Sequence, residues 1–240
     1  MTILSAHGMH FRALNEAVRA CADPVVRIEQ CLGQRYIGSA LDGKDLTVEG
    51  TPGNALGAYL SGARITVHGN AQDATGDTMD AGEIFIHGSS GDATGYAMRG
   101  GEIYVRDSVG YRAGIHMKAY RDKLPVLVIG GSAGSFLGEY QAGGIIIVLG
   151  RGCEGTPVGN FCGTGMHGGQ IFLRCDQPPA DLPAQVTARK ASPGDIASIR
   201  PYLSRYCAAF GADLQEIEAH TFYLLTPDTK NPYRQLYTNN

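Results

Sequence analysis

Apolar residues recur along this chain as short alternating triplets. Leu46-x-Val48, Ile65-x-Val67, Ile84-x-Ile86 and Ile103-x-Val105 follow one another every nineteen residues. Val126-x-Val128, Ile145-x-Ile147 and Ile171-x-Leu173 continue the series after insertions of four and seven residues. Period-two alternation of β-branched residues predicts strands whose first and third side chains share a face. A fixed short period predicts stacked units, each burying its apolar side against its neighbours. The expected fold is an all-β core, a single-stranded right-handed parallel β-helix of about seven coils, its hand following from the chirality of parallel crossovers. Helical N- and C-terminal extensions flank it. Residues 1–44 are an N-terminal extension with a helix at about 10–21, residues 45–176 are the β-helix, and residues 177–240 are a linker and helical tail.

The helical segments have their own signals. Phe11, Leu14 and Val18 fall at helical spacing. Pro178, Pro179 and Pro183 read as linker, and Ser192-Pro193-Gly194-Asp195 opens a helix. Ile196, Ile199, Leu203, Tyr206 and Phe210 form its apolar face, with Pro201 as a kink or restart. Asn231 to Tyr237 reads as an extended docking segment.

Other columns sharpen the picture. Leu60, Met79, Met98, Met117 and Met166 each lie three residues past a mid-coil glycine. Flexible methionine fills irregular interior space, and that reading is preferred to a thioether metal site smeared over several coils. Asp73 and Asp92 occupy one column. Like charges so placed are unfavourable, so their carboxylates are expected to accept backbone N–H bonds at a corner. Glu83 stands beside Arg64, and Glu102 beside Glu83.

The middle residue of each triplet points outward, giving Phe85, Tyr104, Leu127, Ile146 and Phe172 as an apolar stripe. A patch of that size needs a cover, from the terminal segments, a partner, or both.

Composition narrows the function. The chain has 240 residues, a net charge of −3, 18% charged residues and 34 glycines. That charge excludes a general nucleic-acid footprint. No apolar run reaches membrane-spanning length, and the start lacks a signal peptide pattern. Six cysteines without a C-x-x-C fit a cytoplasmic, thiol-reduced protein. Cys153, Cys162 and Cys175 with His167 match no metal spacing. The first break in the period gathers Tyr111, Arg112, His116, Lys118, Tyr120, Arg121 and Lys123. These are candidate contacts for a partner or an anion, against the plainer reading of a solvated loop. No catalytic, cofactor or metal residues are assigned.

Gly53-Asn-Ala-Leu-Gly-Ala-Tyr-Leu60, Gly95-Tyr-Ala-Met-Arg-Gly-Gly101 and Gly165-Met-His-Gly-Gly-Gln-Ile171 resemble the C-terminal β-helix domain of the glutamate synthase large (alpha) subunit, in its stand-alone form. The resemblance covers roughly residues 33–175 and extends to the β-helix component of formylmethanofuran dehydrogenase. It implies a non-catalytic scaffold in a glutamate-synthase-like complex, with amidotransferase and flavin-barrel partners, a homo- or hetero-oligomer, and possible lining of an ammonia passage. FMN and an iron–sulfur cluster are expected on those partners and none on this chain; neither nucleic acid nor membrane is implied. The alternatives are a spacer in a formylmethanofuran dehydrogenase or formyltransferase-type complex, and a free-standing β-helix carbohydrate enzyme built on Asp73 and Asp92.

Overall fold

A computed structural model describes residues 1–228. The segment read as a docking tail, Asn231 to Tyr237, lies outside those residues. Strands run in chain order: β1 (Thr2–Ser5), β2 (Val25–Leu32), β3 (Asp45–Thr51), β4 (Ser61–His68), β5 (Ala81–Ile86), β6 (Glu102–Val105), β7 (Val126–Ile129), β8 (Ala142–Val148), β9 (Gly168–Arg174), β10 (Val186–Lys190) and β11 (Phe222–Pro227). They form one sheet in the order β1 to β9, then β11, then β10. Each neighbouring pair from β1 to β9 is parallel. The two C-terminal strands join antiparallel.

This corrects the expectation of a seven-coil right-handed β-helix with helical extensions. The described architecture is an eleven-stranded, mostly parallel sheet with few helices. Nine strands, not seven, make its parallel part. Residues 1–44 are no mere helical extension, because β1 and β2 belong to the sheet. The tail contributes β10 and β11 as well as helices. These four strands lack the glycine rhythm, so periodicity did not reveal them.

The first face of the sheet carries Leu46, Ile65, Ile84 and Ile103 in one register row. That row continues through Leu127, Ile146 and Ile171. Met79, Met98, Met117 and Met166 pack into the same core. Helix α1 (Phe11–Ala20) buries Leu14 and Val18 against it.

The second face is covered by α2 (Pro193–Phe210) and α3 (Leu214–Glu218). Phe85, Tyr104, Val128, Ile147 and Phe172 form a core there with Ile199, Leu203, Tyr206 and Ile217. The stripe is therefore corrected at two positions. Leu127 and Ile146 face the first core, and Val128 and Ile147 take their places. The cause is physical. β7 is buried at every position and β8 at all but its first, so alternation does not define the frame there. A one-residue slip then exchanges the two faces.

α2 begins with a capping box between Ser192 and Asp195 and ends at Gly211 in the left-handed conformation. It continues through Pro201 without a break. Arg205 on α2 settles the charge problem on the sheet. It pairs with both Glu83 and Glu102, while Arg64 holds Glu83 from the other side. Tyr206 donates its hydroxyl to Arg106 O at 3.0 Å.

Candidate functional site

The segments joining the strands form a wall of stacked turns. Within each turn, residues with positive φ alternate with ordinary ones: Ala55, Gly57 and Tyr59, then Arg112, Gly114 and His116, then Phe136, Gly138 and Tyr140. Holding non-glycine residues there costs about 1 kcal/mol each. The turn-to-turn ladder offsets that cost. Tyr59 N donates to Asp77 O at 2.7 Å, Ala97 N to Ile115 O at 2.8 Å, His116 N to Glu139 O at 2.9 Å and Tyr140 N to Thr164 O at 2.8 Å. Tyr59, Arg112, His116 and Tyr140 are exposed at their left-handed positions, whereas a Cβ at Gly57, Gly114 or Gly138 would run into Ile84, Ile146 or Ile171 of the core.

Asp73 and Asp92 are part of this ladder. Asp73 Oδ1 accepts from Asp92 N at 2.9 Å, and Asp92 Oδ1 accepts from Tyr111 N at 2.8 Å. A Cβ at Gly91 or Gly110 would collide with those carboxylate oxygens. Both acids are committed to structure.

A cleft of about 570 Å³ opens on the wall. His116 stacks on Tyr140, with centroids 5.3 Å apart and planes within 9°, and meets Tyr96 edge-on at 5.9 Å. Arg99, Lys118 and His167 add three basic side chains, and Ala97 and Ala142 leave the middle open. Among the described residues, no Asp or Glu lines it.

The structure divides the seven candidate contact residues. His116 and Lys118 enter the cleft. Arg112 pairs with Glu139 at 3.0 Å and lies 5.0 Å from the Phe136 ring centroid. Phe136 stacks on Phe161. Lys123 pairs with Asp80 and exchanges backbone bonds with Tyr120 across a tight turn. Arg121 lies over Tyr120, and Tyr111 is exposed. So only two of the seven share the cleft. Tyr96, Arg99, Tyr140 and His167 were not gathered from the sequence. The signal was present, because Arg99 and Lys118 are equivalent positions nineteen residues apart.

The cysteine set does not assemble. Cys162 is fully buried, and burial pushes its thiol up to about 12; burial raises Cys175 to about 11. Among the described residues, no three of His, Cys, Asp and Glu are grouped as metal ligands. No described helix is long and apolar enough to cross a membrane.

The model of the GXGXG motif family matches residues 14–223. The chain belongs to the GXGXG motif family. This GXGXG chain is 44% identical over 250 residues to an uncharacterised protein of Methanocaldococcus jannaschii, covering 98% of this chain and 96% of that one. Its fold is similar to a chain in the crystal structure of the formyltransferase/hydrolase complex FhcABCD from Methylorubrum extorquens with methylofuran. The TM-score is 0.62 at 20% identity, over 85% of this chain and 73% of that one.

Proposed function

We propose that this chain is a non-catalytic docking component of a multi-protein complex, of the formyltransferase/hydrolase type. The observation that carries docking is the turn wall, where Tyr59, Tyr96, Tyr111, Tyr140 and Phe161 are exposed beside basic residues. Exposed aromatic and arginine side chains are the usual anchors of protein interfaces. The type of complex is supported by the fold shared with the chain of FhcABCD. The chain then spaces and orients its partners, and its rigidity comes from the continuous ladder of β1 to β9.

A second reading is favoured by a different observation. Gly95 to Gly101 and Gly165 to Ile171 resemble the glutamate synthase domain. In that setting the partners are an amidotransferase and a flavin-barrel protein that holds FMN and an iron–sulfur cluster.

Co-expression with each candidate partner set, followed by native mass spectrometry, separates the two. A complex with a formyltransferase or an amidohydrolase supports the first. A complex with a flavoprotein and an amidotransferase replaces it with the second. A lone monomer in the presence of both sets defeats docking altogether. Tyr111→Ser with Phe161→Ser should weaken the complex by about tenfold or more while the chain still folds.

A further inference from the structure

The sheet ends differently on its two sides. β10, the last strand on one side, carries Arg189 and Lys190, both exposed. β1, the last strand on the other, is Thr2-Ile3-Leu4-Ser5, with no charge and no proline. Its register with β2 is regular, without a bulge. Charge, proline and bulges are the devices by which natural sheet edges refuse another strand. β1 has none of them.

Among the described residues this edge is also chemically unfinished. Ala6 N donates to Glu29 O at 2.8 Å, and Ser5 is in register with Glu29. In a parallel ladder that bond points the backbone of Leu4 at β2. It turns the N–H and C=O of both Ile3 and Ser5 away from β2. No described strand lies beyond β1 to receive them. The side chains tell the same story. Leu4 stands in one register row with Ile28, Val48, Val67, Ile86 and Val105. The other five are fully buried, and Leu4 is only half-buried. The aliphatic row therefore stops one position short of being covered.

These features say what fits. The next strand must offer backbone donors and acceptors at two alternate positions, an aliphatic residue between them, and no charge. β1 itself has that pattern. Laid antiparallel about a two-fold axis at Leu4, Ile3 of each copy faces Ser5 of the other, and each such pair exchanges two hydrogen bonds. Leu4 then meets Leu4 of the second copy and extends the buried row. With no charge on β1, the two copies do not repel there. Residues 229–240 of the same chain do not reach this place. From β11 it is ten strand spacings away, about 48 Å, and those residues span about 43 Å at most when fully extended.

We propose that β1 pairs antiparallel with β1 of a second copy of this chain, making one sheet continuous across a two-fold dimer. The inference goes beyond the docking reading, which uses the turn wall, and does not depend on it.

Sedimentation equilibrium of the full chain tests it. An edge of four residues gives a modest interface, so the dimer should form at about 100 µM and dissociate on dilution. The Ile3 and Ser5 amides should be protected from hydrogen exchange in the dimer and open in the dilute monomer. Ile3→Pro removes an N–H that β2 does not use. It should weaken the dimer about tenfold or more, while thermal unfolding of the dilute variant matches the parent. Residues opposed as Leu4 would be stand about 4.5 Å apart at Cα, within disulfide range. Leu4→Cys treated with oxidised glutathione should therefore join two copies. The two thiols become one disulfide as glutathione disulfide is reduced to two thiols, and peptide mapping should place the link at residue 4. A monomer at the higher concentration, a dimer that Ile3→Pro leaves intact, or no residue-4 link in Leu4→Cys each overturns the proposal. Protection of the Ile3 and Ser5 amides only when another protein is present gives the edge to a foreign strand and overturns it as well.

Discussion

Two surfaces of this molecule display rows of aromatic residues, and the chain treats them differently. On the second face of the sheet, Phe85, Tyr104 and Phe172 are sealed under α2 and α3. On the turn wall, Tyr111 and Phe161 remain 57% and 51% exposed. The first row is stitched shut by polar contacts at its margin, with Arg205 on Glu83 and Glu102, Tyr206 on the Arg106 carbonyl, and Arg200 bidentate on Glu218. The second row is edged by arginines and histidines stacked on rings, which leaves its outer face unsealed. Aromatic surface alone does not mark a docking site. What marks it is aromatic surface that the described segments of the chain leave exposed.

The comparison breaks first on core substitutions. Phe172→Ala, fully buried, should cost about 3–5 kcal/mol in denaturant unfolding. Tyr111→Ser on the wall, at a residue 57% exposed, should change stability by no more than about 0.5 kcal/mol. Equal losses would mean that the wall is as much core as the covered face.

The margin of the cover comes next. Arg205→Met leaves Glu83 and Glu102 side by side without their shared cation. The expected loss is about 1–2 kcal/mol, shrinking in high salt. A salt-independent loss would assign Arg205 a packing role instead.

The smallest effect concerns the end of α2. His87 lies against His68 with ring centroids 4.7 Å apart and planes tilted by 38°, and meets Phe210 edge-on at 5.0 Å. Burial holds its pKa below the usual value near 6.5, with His68 and Arg106 pushing the same way. The unfolded chain therefore takes up this proton more readily than the folded one. Stability should be full above about pH 6.5 and fall as pH drops from there through the lowered folded value. Thermal unfolding between about pH 7.5 and 5 should show this slope, and His87→Phe should flatten it. An unchanged slope in the variant would place the titration elsewhere.

Much of the pairing was legible in the residues. Register rows such as Val48, Val67, Ile86 and Val105 can be read from spacing, because every unit repeats one hydrophobic alternation. The site was less legible. His116 and Lys118 drew notice through charge, whereas Tyr140 and His167 reach the cleft only after insertions that shift the alignment.

By itself the chain determined where parallel pairing between β3 and β6 had to occur and which methionines had to turn inward. Those outcomes follow from local alternation, which each unit carries whole. Tertiary structure alone decided the frame of β7 and β8, the membership of β1, β2, β10 and β11 in the sheet, and which aromatic row α2 would cover. In each case both faces of a segment were apolar or no period was present, so the choice fell to packing against distant residues, a contest that no short window of sequence contains.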